Sequence, residues 1–126
     1  MIVRRSSTGY DETMSSLIAS IEGRGLTVFA RVDHAAGARA AGLELADEEV
    51  VLFGSPRSGT PLMQRDPRIG IELPLRVLVW RDGEVVLLGH QDPRELSGGY
   101  DVASEQATLE QMATLLEALV GEASGG

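Results

Sequence analysis

Asp33 and His34 stand side by side in a chain of 126 residues, and together they could do acid–base chemistry. An imidazole titrates near neutrality, and an adjacent carboxylate can fix its tautomer. The pair therefore fits a general base, His34, oriented by Asp33, if the protein is an enzyme at all. A second set lies in Gly54-Ser55-Pro56-Arg57-Ser58-Gly59-Thr60. Glycines let main-chain N–H groups approach a ligand, Arg57, Ser58 and Thr60 add donors, and a following helix start adds positive potential. That is a site for a carboxylate or phosphate. The same residues also suit a plain turn capped by Thr60. Phe53 and Met63 flank the segment and would wall an apolar side of the pocket. Arg76 interrupts an apolar strand and is either on its solvent face or held by a carboxylate, with Glu72 and Glu84 as available partners. His90 could join His34, Asp33 and Asp92 around a metal, but no two of these histidines share a short ligand spacing, and no metal or cofactor is expected. No serine sits in a G-x-S-x-G elbow.

These residues need elements to hold them. Met1 to Arg5 reads as an edge strand. Met14, Leu17, Ile18 and Ile21 form one helical stripe, opened by a cap at Thr8 and closed by Gly23 and Gly25. Leu26 to Val32 is a strand with Val28, Ala30 and Val32 on one face. Asp33 ends it and caps an alanine-rich helix over 35–41. Glu49 to Phe53 is an unbroken apolar strand, a pattern that predicts burial on both faces. Thr60-Pro61 opens a short helix that Pro67 ends. Leu75 to Trp80 and Val85 to Leu88 are strands around the hairpin signal Asp82-Gly83. Asp92-Pro93 starts a short helical turn to Leu96. Ser104 caps a last helix whose stripe is Leu109, Met112, Ala113, Leu116 and Leu119, with Gly121 as its stop. The expected fold is two-layer α+β: about five strands in a mixed or antiparallel sheet, with helices mainly on one face. One domain, 1–123, carries a flexible tail, 124–126.

Composition narrows the function. A net charge of −8 argues against nucleic acid and anionic membrane surfaces. All eleven basic residues are arginine, so Schiff-base and Walker-lysine chemistry are out. With no cysteine, thiol catalysis and disulfides are out too. No apolar run approaches spanning length, and a cytoplasmic location is expected.

Val32-Asp33-His34, Ala40-Ala41-Gly42-Leu43-Glu44-Leu45, Phe53-Gly54-Ser55-Pro56, Gly59-Thr60-Pro61-Leu62-Met63, Leu73 to Trp80 and Asp92-Pro93 follow one another in an order and spacing that resembles domain-of-unknown-function family 302. The resemblance spans nearly the whole chain. It implies a small bacterial or archaeal α+β domain able to form a homodimer, with no assigned reaction, and a shared site at His34, Phe53, Gly54, Thr60, Met63 and Arg76. This chain has Ser55 where the family carries asparagine, His90 where it carries an aromatic, and lacks an Arg-His pair near Tyr100-Asp101. The expected function is the binding of a small anionic or amphipathic ligand by His34, Phe53, Gly54, Ser55, Arg57, Ser58, Gly59, Thr60, Met63 and Arg76. The alternative is a homodimeric interaction module without a ligand.

Overall fold

The computed structural model describes residues 1–125. Five strands, β1 (Ile2–Arg5), β2 (Thr27–Asp33), β3 (Glu48–Gly54), β4 (Leu75–Asp82) and β5 (Val85–His90), form one sheet in the order β1-β5-β4-β3-β2, and every neighbouring pair is antiparallel. Four α-helices accompany it: α1 (Tyr10–Gly23), α2 (His34–Ala40), α3 (Pro56–Arg65) and α4 (Gln106–Ala123). The expected α+β architecture is present. Of the two sheet types anticipated, the wholly antiparallel one is found.

Connectivity decides the layers. β1 and β2 lie on opposite edges, so α1, which joins them, must cross a face of the sheet. Its stripe Met14, Leu17 and Ile21 packs with Leu116, Leu119 and Val120 of α4 onto Val51, Phe53, Val77, Val79 and Leu88. Burying each such aliphatic side chain stabilises the fold by about 1.5–3 kcal/mol. Side chains alternate along a strand. The residues between those core positions therefore face away, and Val3, Gly89, Leu78, Val50 and Val32 make one row across the opposite face. The unbroken apolar run of β3 is thus not buried on both sides. Val51 and Phe53 are fully buried, while Val50 and Leu52 are only partly covered.

Local chemistry explains the remaining departures. Pairing skips Phe29, a bulge between Val28–Phe53 and Ala30–Leu52. The extra residue reverses the alternation, so Val28 shares the helix side with Phe53 whereas Ala30 and Val32 lie on the open side. Thr8 caps nothing: its hydroxyl joins Ser6 and Thr13, whose own oxygens are 2.6 Å apart. Ser104 lies in a 3₁₀ turn, Ala103–Glu105, and supplies no cap to α4, which runs past Gly121 to Ala123. The hairpin loop is Gly83-Glu84, one residue later than expected, because Asp82 still pairs with Val85. Gly83 takes φ of 62°, the left-handed value that the first position of a type II′ turn requires. The tail is not loose at Ser124, which is 3% exposed, its carbonyl accepting from the Ser7 N–H and hydroxyl. Gly126 lies outside the described residues.

Candidate functional site

Ser55 sets the site's local geometry. Its Oγ accepts from the Arg57 N–H at 3.3 Å, and its carbonyl accepts from Ser58 and Gly59. Pro56 occupies the first helical position, where a missing N–H costs nothing. The expected loop is therefore mostly helix: α3 starts at Pro56, and Thr60 and Pro61 sit inside it rather than at its cap. This corrects the anion cradle as well. The amides that would meet an anion are already bonded to Ser55, and Arg57 is exposed.

The first turns of α3 instead form one wall of an apolar cavity of about 480 Å³. Phe53, Gly54, Ser55, Ser58, Gly59, Thr60 and Met63 line it, seven of the ten anticipated residues. The facing wall comes from elsewhere: Leu26 just before β2, Phe29 within it, Leu73 before β4, and Gln111, Met112 and Leu115 of α4. Sequence reasoning missed this wall because tertiary packing assembles it. A signal did exist for Met112, which belongs to the α4 stripe. The polar atoms at this cavity are hydroxyls and one side-chain amide, with no charged group among the lining residues.

His34 and Arg76 are not there. Thr27 pairs with Gly54 at one end of the β2–β3 hairpin, and Asp33 pairs with Glu49 at the other. Six steps along β3 at about 3.3 Å each put roughly 20 Å between His34 and the Ser55 turn. The two segments do not converge on one hollow. His34 is exposed, and the Asp33 carboxylate accepts from the Ala36 N–H at 2.9 Å as a helix cap, with no hydrogen bond to His34 among the described residues. The pair is not built as a base and its orienter. The hairpin's far end is also acidic. Burial first, then Glu49, Asp33 and Asp47, push the Tyr10 phenol up, and Glu49 is paired with Arg31 at 2.5 Å. Among the described residues, no group of three His, Cys, Asp or Glu side chains is disposed to hold a metal.

His34 and Arg76 line a second pocket, of about 520 Å³, which runs along the open side of the sheet and reaches, past the end of β5, His90, whose side chain lies on the helix side with Leu88. Arg76 faces Glu72, as one of the two anticipated pairings has it, at 3.9 Å.

A repeated motif, Asp-Pro-Arg, went unread in the sequence. Asp66-Pro67-Arg68 and Asp92-Pro93-Arg94 each open a 3₁₀ turn, and each aspartate accepts from the amide and guanidinium of its arginine. Asp66 also accepts from the Asp101 N–H at 3.0 Å and so ties the segment after α3 to the approach to α4. The Arg68 guanidinium, then the Asp101 amide, hold the Asp66 carboxyl well below the usual carboxylate range. A carboxyl lowered in the folded state stabilises above its unfolded value of about 4 and loses that contribution as pH falls below it. Asp66→Ala should therefore lower stability at pH 7 and flatten its acid dependence between about pH 4 and 2. Urea unfolding across pH 2–7 measures this. Equal slopes for both proteins would contradict it.

The comparisons agree with this architecture. A crystal structure of an uncharacterised conserved DUF302 protein from Bacillus stearothermophilus matches with a TM-score of 0.86 at 18% identity, covering 97% of this chain and 96% of that one, which shows a shared fold. Curated relatives include the protein named fluoride-specific ion channel FluC 1 in Brucella suis and in Brucella abortus, each 41% identical over 105 residues, or 82% of this chain. The chain spans only 41% and 39% of those proteins. Among the described residues no helix is long and apolar enough to cross a membrane. The family model described as domain of unknown function DUF302 matches residues 2–119, and the chain belongs to that family.

Proposed function

We propose that this domain binds one small amphipathic molecule in the cavity between α3, the start of β2 and α4, with its apolar body inside and an uncharged polar head at the Ser55, Ser58 and Thr60 hydroxyls. One observation carries the reading: residues from separate elements line a half-open, mostly apolar pocket of about 480 Å³, within the range of sites that take small ligands. An unpaired charge buried there would be costly, because no cation lines the cavity. Calorimetric titration with 1-octanol, octanoate and sodium fluoride tests it, fluoride being included for the channels named among the relatives. Octanol, whose chain gains about 0.8 kcal/mol per buried CH₂, is expected to bind saturably. Octanoate should bind more weakly and fluoride not at all. Saturable fluoride binding with none of octanol would overturn the reading.

A second reading concerns the sheet's open face, which fits a second copy of this chain. The row Val3, Val50, Val32 and Leu78 is apolar where an antiparallel sheet facing water carries polar residues, and Val3 and Val32 are 48% and 43% exposed. Arg5, Arg76 and Glu48 on the same side supply both signs of charge, so a two-fold copy can pair them. Sedimentation equilibrium should give a dimer that Val32→Glu dissociates. A wild-type monomer at 100 μM, roughly the weak end of specific association, would contradict it.

A further inference from the structure

Met63 places a thioether where the α3 cavity meets water. It lines that cavity and is 37% exposed. Two glycines seat it. A Cβ at Gly59, one helical turn earlier, would stand 3.7 Å from Met63 Cε, and a Cβ at Gly70 would stand 3.4 Å from its Sδ. Gly70 belongs to the 3₁₀ turn Pro67–Glu72 and lines the same cavity. The side chain therefore reaches from α3 to the next element and forms part of the wall between them.

The chain has three other methionines and no cysteine. Met14 and Met112 are 5% and 4% exposed, and Met112 lines the α3 cavity too. Met1 is 66% exposed but lines the second pocket, not this one. Met63 alone is both open to solvent and part of the α3 cavity. Oxidation turns methionine from a flexible apolar side chain into a polar, chiral one.

We propose that Met63 is an oxidation site whose sulfoxide shuts the α3 cavity to apolar ligands. Hydrogen peroxide supplies the oxygen. The sulfur lone pair attacks one peroxide oxygen, and the S–O bond forms as the O–O bond breaks. Sulfur gives up two electrons, and the second oxygen, taking the proton of the first, leaves as water. The new S–O dipole either stays in the apolar wall, where it lacks water, or swings out and takes the side chain off its glycines. Both outcomes remove apolar surface from the ligand's side of the wall. The effect on binding rests on the cavity being the ligand site, whereas the choice of methionine does not.

Two readouts after treatment with dilute hydrogen peroxide separate these parts: peptide mass spectrometry for each sulfoxide, and calorimetry with 1-octanol. Met1 and Met63 should oxidise at least tenfold faster than Met14 and Met112. Saturating octanol should slow Met63 and leave Met1 unchanged. Oxidised wild type should bind octanol about tenfold more weakly, the scale of one polar group desolvated without a partner, and methionine sulfoxide reductase should restore it. Met63→Leu has no thioether at this position, so peroxide should not change whatever octanol affinity it has. Met63 oxidising no faster than Met112, or oxidised wild type keeping its octanol affinity, would overturn the proposal. So would an equal loss of affinity in peroxide-treated Met63→Leu. Selective oxidation of Met63 in a protein that binds no octanol would overturn the ligand cavity and its closure, and leave the oxidation site standing.

Discussion

Phe53→Ala is expected to destabilise this protein by about 3–5 kcal/mol, the range for deleting a fully buried aromatic ring. Phe53 is fully buried, belongs to the main core and pairs with Val28 and Leu75 on the strands either side. Neighbours on both flanks are held by sheet hydrogen bonds, so collapse around the lost ring is limited. The substitution also enlarges the cavity that Phe53 lines. If octanol binds there, it should recover part of the loss, since a ligand that binds only the folded state stabilises it by mass action. Urea unfolding with and without octanol measures both effects. A loss below about 1 kcal/mol would mean that Phe53 is not the central core residue the structure makes it.

Gly59→Leu is expected to do the opposite: remove binding and keep the fold. A Cβ at Gly59 would lie 3.6 Å from Leu73 Cδ1 and 3.7 Å from Met63 Cε, which is ordinary contact. The further carbons of leucine must then project into the cavity. Replacing a helix-interior glycine with a good helix former gains up to about 1 kcal/mol. Octanol affinity should fall at least tenfold while the melting temperature holds or rises. Unchanged affinity would mean that the ligand sits elsewhere.

Much of this fold was legible because its signals are local. The stripes of α1 and α4 rest on helical spacing alone, and Asp33 and Asp92 are capping residues beside helix starts. What the sequence hid depends on partners distant in the chain. The bulge at Phe29 is visible only against β3, and it decides which face Val32 takes. Ser55 rather than Thr60 opens α3, because a proline follows each and both positions suit the same chemistry. The site itself was half legible. The residues from Phe53 to Met63 lie together because they are consecutive, but nothing in the order of residues tells that Met112 and Leu115 close over them. His34 was expected beside that segment. An antiparallel hairpin instead puts the end of one strand beside the start of the next, and so at the far end from Ser55.

The proposed ligand site is the α3 cavity. Amide NMR during an octanol titration tests that most directly. Saturable shifts that share one Kd are expected at Gly54, Gly59, Gly70 and Leu115, with Gly37 and Gly42 at the other end of the hairpin unmoved. Shifts centred on Gly37 and Gly42, or none at the α3 residues up to the solubility of octanol, would contradict it.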